Sequence, residues 1–91
     1  MVDRVQRIEN LDDLRHYVNR TICDLEELEP GAFPISERVL LRHGKPCGIY
    51  FCLHGPRSVR FSAIWETEQH RILFYDAAGE RYHRTQLVSL A

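Results

Sequence analysis

The sequence predicts a two-layer α+β domain, with one N-terminal helix packed on one face of a four- to five-stranded antiparallel meander. Three observations lead to this prediction. Apolar residues recur at helical spacing near the N-terminus, β-rich runs fill the rest of the chain, and the connections between those runs are short. A chain of 91 residues is long enough for one hydrophobic core, so we expect a single domain over residues 1–91.

The helix is predicted over roughly residues 11–28, where apolar side chains follow the i, i+3, i+4 pattern of an amphipathic helix. Asn10 is a suitable N-cap, and Glu29-Pro30-Gly31 is expected to end the helix. The residues of the predicted apolar stripe are Leu11, Leu14, Val18, Ile22 and Leu25.

The rest of the chain predicts five strands joined by turns rich in Gly, Pro and Asp. None of these connections is long enough for a helical crossover, so parallel pairing is not expected. The sequence leaves open whether residues 1–9 add an edge strand. The five predicted strands are residues 37–43, 48–54, 58–66, 71–76 and 81–88.

Alternation along the strands predicts one apolar face beneath the helix and one mixed face without a cover. Ile49, Phe51 and Leu53 begin the apolar set, which continues on the next two strands. One helix can cover only one face of the sheet. The uncovered face then presents aromatic, aliphatic and arginine side chains as a candidate binding surface: Tyr50, Arg60, Ile64, Leu73 and Tyr75.

This surface predicts a small, non-catalytic interaction module that acts through protein–protein contacts. Tyrosine and arginine are enriched among the residues that anchor protein interfaces. Self-association as a homodimer is the first expectation and docking to another protein the second.

Two alternatives come from other classes of function. A nucleic-acid-binding sheet would use Arg57, Arg60 and Arg84, although a net charge of −1 and a pI near 6.5 do not favour phosphate binding. The sequence has no recognisable catalytic motif, and a sheet with one helix leaves little room for a substrate pocket, so a small enzyme or ligand binder would need a site at a subunit interface.

The cysteine pattern predicts a reducing compartment without metal chemistry. Three cysteines and no export signal favour free thiols in the cytoplasm. Cys47, Cys52 and His54 lack the paired spacing of a zinc site, so no metal or cofactor is expected, and no apolar run is long enough for a membrane span. Cys23 falls on the polar side of the helical wheel and is predicted to be exposed.

Overall fold

The structure, a computed structural model, describes residues 2–89 and the side chains of residues 4–88. Over this range the chain forms one long helix and six strands, with a short 3₁₀ turn at Pro56–Ser58 between two of the strands. The elements in chain order are β1 (Val2–Ile8), α1 (Leu11–Glu26), β2 (Ile35–Arg42), β3 (Lys45–His54), β4 (Arg60–Glu66), β5 (Arg71–Tyr75) and β6 (Arg81–Ser89).

The strands form a single sheet in the order β1-β6-β5-β4-β3-β2. The α+β architecture is confirmed, but the prediction of four to five purely antiparallel strands is wrong, because β1 is a sixth strand that pairs in parallel with β6. The rest of the chain separates these two strands, so the short turns of the meander place no limit on their direction. Strand β1 shows no regular alternation because it lies at an edge, where only Ile8 among its described side chains is buried.

The helix begins with a reciprocal cap. The Asn10 side chain accepts a hydrogen bond from the backbone N–H of Asp13 at 2.8 Å, and the Asp13 carboxylate accepts one from the N–H of Glu9 at 3.0 Å. The helix ends at Glu26, because Glu27 adopts the left-handed conformation with a φ of 56°. The predicted cap is therefore confirmed, and the helix ends two residues earlier than predicted.

The hydrophobic core lies between the helix and one face of the sheet. Leu14, Val18 and Ile22 from the helix belong to one buried cluster with side chains from five strands, so the predicted facing of β3, β4 and β5 is confirmed. The residues that the strands contribute to this cluster are Ile8, Ile49, Phe51, Leu53, Phe61, Ala63, Ile72, Phe74 and Leu87.

Two bulges determine which side chains meet on the outer side of the sheet. In the β2–β3 hairpin, His43 and Gly44 form the turn, and the extra residue Cys47 shifts the register between two neighbouring pairs. In the β5–β6 hairpin, the Asp76 carboxylate accepts N–H bonds from the turn, and a second bulge pairs Tyr75 with Arg81. These shifts align the arginines of the edge strands with the tyrosines of the central strands.

Candidate binding surface

The open face is the side of the sheet that points away from helix α1. Within residues 2–89 the one long helix lies on the opposite side, so neither it nor a strand covers this face. Its central and flanking members are Arg38, Tyr50, Cys52, Arg60, Ser62, Ile64, Glu66, Arg71, Leu73, Tyr75, Arg81 and Arg84.

The residues of the open face differ in their exposure to solvent. Tyr50, Ile64 and Tyr75 are half-buried, whereas Leu73 is only 2% exposed and Cys52 only 6%. Leu73 lies between Ile64 and Arg84 in a row that crosses the sheet. Leu73 therefore contributes almost no accessible area to the open face.

Pairing register brings three of the predicted residues into one row. Tyr50 is opposite Ile64, and Ile64 is opposite Leu73, while Arg38 and Arg84 occupy the two ends of the same row. With strands about 4.8 Å apart, these five positions span about 19 Å across the sheet. The result is an apolar and aromatic centre with an arginine at either end.

The other two predicted residues lie outside this row. Tyr75 is opposite Ser62 in the adjacent row, and Arg60 is opposite His54 near the turn that joins β3 to β4. Four residues along one strand and two strands across separate Arg60 from Arg84, which corresponds to about 16 Å. Arg57 lies in the exposed turn, so the three arginines proposed for nucleic acid do not form one compact cluster.

Two arginines that sequence reasoning did not select are held against the tyrosines. The guanidinium carbon of Arg38 is 5.7 Å from the centre of the Tyr50 ring, and that of Arg81 is 5.5 Å from the centre of the Tyr75 ring. Arg81 also donates a hydrogen bond to the Tyr75 hydroxyl at 3.0 Å. These contacts hold two positive charges at the surface beside the aromatic rings.

The open face carries an excess of positive charge. Among its described side chains the one carboxylate is Glu66, which accepts a hydrogen bond from Arg71 at 2.6 Å. Within the described residues, Arg38, Arg60 and Arg81 form no ion pair, and all three are exposed. The helix and the residues that follow it carry most of the acidic groups of the N-terminal part: Asp12, Asp13, Asp24, Glu26, Glu27 and Glu29. The two sides of the molecule therefore differ in charge.

A concavity of about 290 Å³ extends the open face at the end of the sheet. Ile64 and Glu66 line it together with Leu40, Arg42 and Cys47. A second concavity of about 440 Å³ lies between β1 and the helix, where Arg4, Arg7 and Arg20 surround it. Of the two, the first is continuous with the central row of the open face, so it can accept part of a partner bound there.

The prediction that Cys23 is exposed is wrong. Cys23 is 1% exposed, although it lies opposite Leu14 on the helical wheel. Leu28 and Phe33, in the segment that follows the helix, pack against the core cluster to which Cys23 belongs. A helical wheel shows the residues of the helix alone and therefore does not include this segment. Burial and the neighbouring Asp24 raise the pKa of the Cys23 thiol, which lowers its reactivity.

Within the described residues, no group of three or more His, Cys, Asp or Glu side chains is placed to hold a metal ion.

A comparison of the chain with protein-family models, with curated proteins and with solved structures finds no match. Within the part of the chain that the structure describes, the helix is too short and too polar to cross a membrane.

Proposed function

We propose that this protein is a non-catalytic interaction module whose open face binds an acidic segment of another protein. The observation that carries the proposal is the row in which the exposed Arg38 lies beside the aromatic and apolar centre of Tyr50 and Ile64. Such a row offers apolar contact at its centre and charge-assisted hydrogen bonds from the arginine beside it.

The apolar centre supports a protein as the partner. Tyrosine and arginine contribute most when their contacts exclude water, and the half-buried Tyr50 and Tyr75 lose little conformational freedom on binding. Each ring already has an arginine over one face, which leaves less aromatic surface on which a nucleobase could stack. Aliphatic and aromatic side chains of a peptide need no free ring face.

The charge of the face supports an acidic partner. Two copies of the chain in face-to-face contact would place arginines such as Arg38, Arg60 and Arg81 close to those of the second copy, and like charges across an interface are unfavourable. A segment with glutamate or aspartate on either side of apolar residues would pair with the same arginines. Docking to another protein is therefore favoured over self-association through this face.

Isothermal titration calorimetry with a synthetic peptide that alternates glutamate with leucine and phenylalanine tests the proposal. We expect Ile64→Glu and Arg38→Gln each to weaken binding by about tenfold, since both lie in the central row. Leu11→Glu is the matched control, because it adds the same charge at an exposed apolar residue of the helix. Circular dichroism verifies that each variant is folded. Equal affinities for all four proteins, or no binding to the wild type, would contradict the proposal.

A second candidate is single-stranded nucleic acid, which the excess of arginine on the open face favours. Arg57, Arg60 and Arg84 would contact phosphates, and the affinity would then fall steeply with salt. A salt titration with an oligothymidine separates the two functions. Affinity that exceeds that for the acidic peptide and falls with salt would support nucleic acid, and no affinity at low salt would exclude it.

A further inference from the structure

The outer edge of β2 is open and apolar. Strand β2 lies at the end of the sheet opposite β1 and has eight residues, seven of which are exposed. Val39 is 54% exposed and Leu41 is 64% exposed. The backbone N–H of His54 donates to the carbonyl of Pro34, so alternation of the ladder turns the backbone groups of Ile35, Glu37 and Val39 outward.

The charged side chains of β2 are engaged within their own molecule. Glu37 accepts hydrogen bonds from Arg15 of the helix at 2.8 and 3.1 Å, and Arg38 lies over Tyr50. Arg42 is 3.9 Å from the carboxylate of Glu68. Natural edge strands commonly use charges to prevent pairing with another sheet. On β2 the charges of Glu37 and Arg42 are paired within the chain, and Arg38 is the one charge that is in no ion pair among the described residues.

The opposite edge of the sheet differs. Strand β1 carries the exposed arginines Arg4 and Arg7 on either side of Val5, and within the described residues neither is in an ion pair. These free charges protect the β1 edge from pairing. The contrast between the two edges singles out β2 as the edge that can accept another strand.

We propose that a second copy of this chain pairs with β2 in antiparallel orientation, so that two sheets become one. A two-fold axis perpendicular to the sheet relates the copies, which keeps both helices on one side and both open faces on the other. This proposal concerns self-association and goes beyond the proposed function, which does not depend on it.

Charge selects the register of this pairing. The register is defined by the residue that lies at the two-fold axis, opposite its own copy. With Arg38 at the axis, the two Arg38 side chains lie opposite each other. With Leu40 at the axis, Arg38 lies opposite Arg42 of the second copy. With Val39 at the axis, Arg38 lies opposite Leu40 and Ser36 lies opposite Arg42. Because like charges opposite each other destabilise a sheet, we assign the register centred on Val39. In this register the two Val39 side chains meet on the helix side, and each Leu41 lies opposite Glu37 of the second copy.

Sedimentation equilibrium tests the association. We expect the wild type to approach the mass of two chains of 10.7 kDa as its concentration rises. Val39→Lys sets two lysines opposite each other and should raise the dimer dissociation constant by more than about tenfold. Val5→Lys is the matched control on the other edge and should leave the dimer intact. A Leu40→Lys variant, which sets each new lysine opposite Arg38 of the second copy, repeats the test if Val39→Lys fails to fold.

A cross-linking experiment tests the register. In a Cys47→Ser background, Val39→Cys should form a disulfide-linked dimer under mild oxidation, because directly opposed residues have Cα atoms about 5.5 Å apart. Leu41→Cys should not, because the two Leu41 residues are then about 13 Å apart along the strands. A wild type that remains at the mass of one chain up to its solubility limit would overturn the proposal. Dimerisation that Ile64→Glu abolishes and Val39→Lys does not affect would overturn it too.

Discussion

The hydroxyl of Tyr17 in helix α1 lies 2.8 Å from the hydroxyl of Thr85 in strand β6. Thr85 is completely buried, and its hydroxyl is also 3.2 Å from Nε2 of the buried His83. This polar chain crosses an otherwise apolar interface and fixes how the helix sits on the last strand. Buried polar groups of this kind are stabilising only while each keeps its partner.

We therefore predict that Thr85→Val destabilises the protein by about 1–3 kcal/mol, because it removes a partner from both the Tyr17 hydroxyl and the His83 ring. Valine has nearly the same shape, so the loss reports the hydrogen bonds and not a cavity. Urea unfolding gives the change in free energy. A midpoint equal to that of the wild type would show that water replaces the lost contacts.

Gly48 marks a close approach between β3 and β4. A Cβ atom at this position would lie 2.1 Å from the backbone carbonyl oxygen of Trp65, and backbone cannot move aside as a flexible side chain can. We predict that Gly48→Ala costs roughly 3 kcal/mol or more by overpacking. Gly79→Ala is the control, because its Cβ meets nothing within 4 Å and only its φ of 81° is strained, at about 1–2 kcal/mol. The reverse order of the two costs in urea unfolding would contradict this account.

The three thiols should differ in reactivity. Cys23 and Cys52 are buried, whereas Cys47 is partly exposed at the concavity beside the open face. We predict that a thiol reagent labels Cys47 first and reaches Cys23 only when the protein unfolds. Mass spectrometry of digested protein over time assigns each label. Early labelling of Cys23 would mean that the segment after the helix does not cover it in solution.

Tyr82 should make stability depend on pH in the alkaline range. Burial, together with the nearby carboxylates of Glu26 and Asp76, raises its pKa. A tyrosine in the unfolded chain titrates near about 10, so above that pH the unfolded state loses a proton that the folded state retains. Stability is thus unaffected below about pH 10 and falls above it. Tyr82→Phe should show a shallower fall in urea midpoint, and parallel profiles for the two proteins would count against the assignment.

The sequence was sufficient to predict the parts of the fold that packing determines. Phe51, Ala63 and Phe74 belong to sets of apolar residues that recur at every second position of three adjacent strands, and this period of two identifies both the strands and their buried side. The N-cap at Asn10 depends on local chemistry, which a sequence also displays.

The remaining features depend on contacts that no local pattern shows. Strand β1 buries only Ile8 among its described side chains, so it has no apolar period from which to predict it. The pairing of Arg38 with Tyr50 requires an extra residue at Cys47, and that of Arg81 with Tyr75 requires a second bulge. A residue count between strands misses both shifts, which is why these two arginines were not among the predicted site residues.

The central claim is that the open face is the part of this molecule that binds an acidic protein segment. Amide chemical shifts of the labelled protein, followed while the glutamate-rich peptide is added, test it directly. The claim predicts that the largest changes fall on β3, β4 and β5 around Tyr50, Ile64 and Tyr75, and that they are lost in Ile64→Glu. Changes confined to the helix and to the concavity between β1 and the helix, around Arg4 and Arg20, would contradict it, and so would the absence of any change.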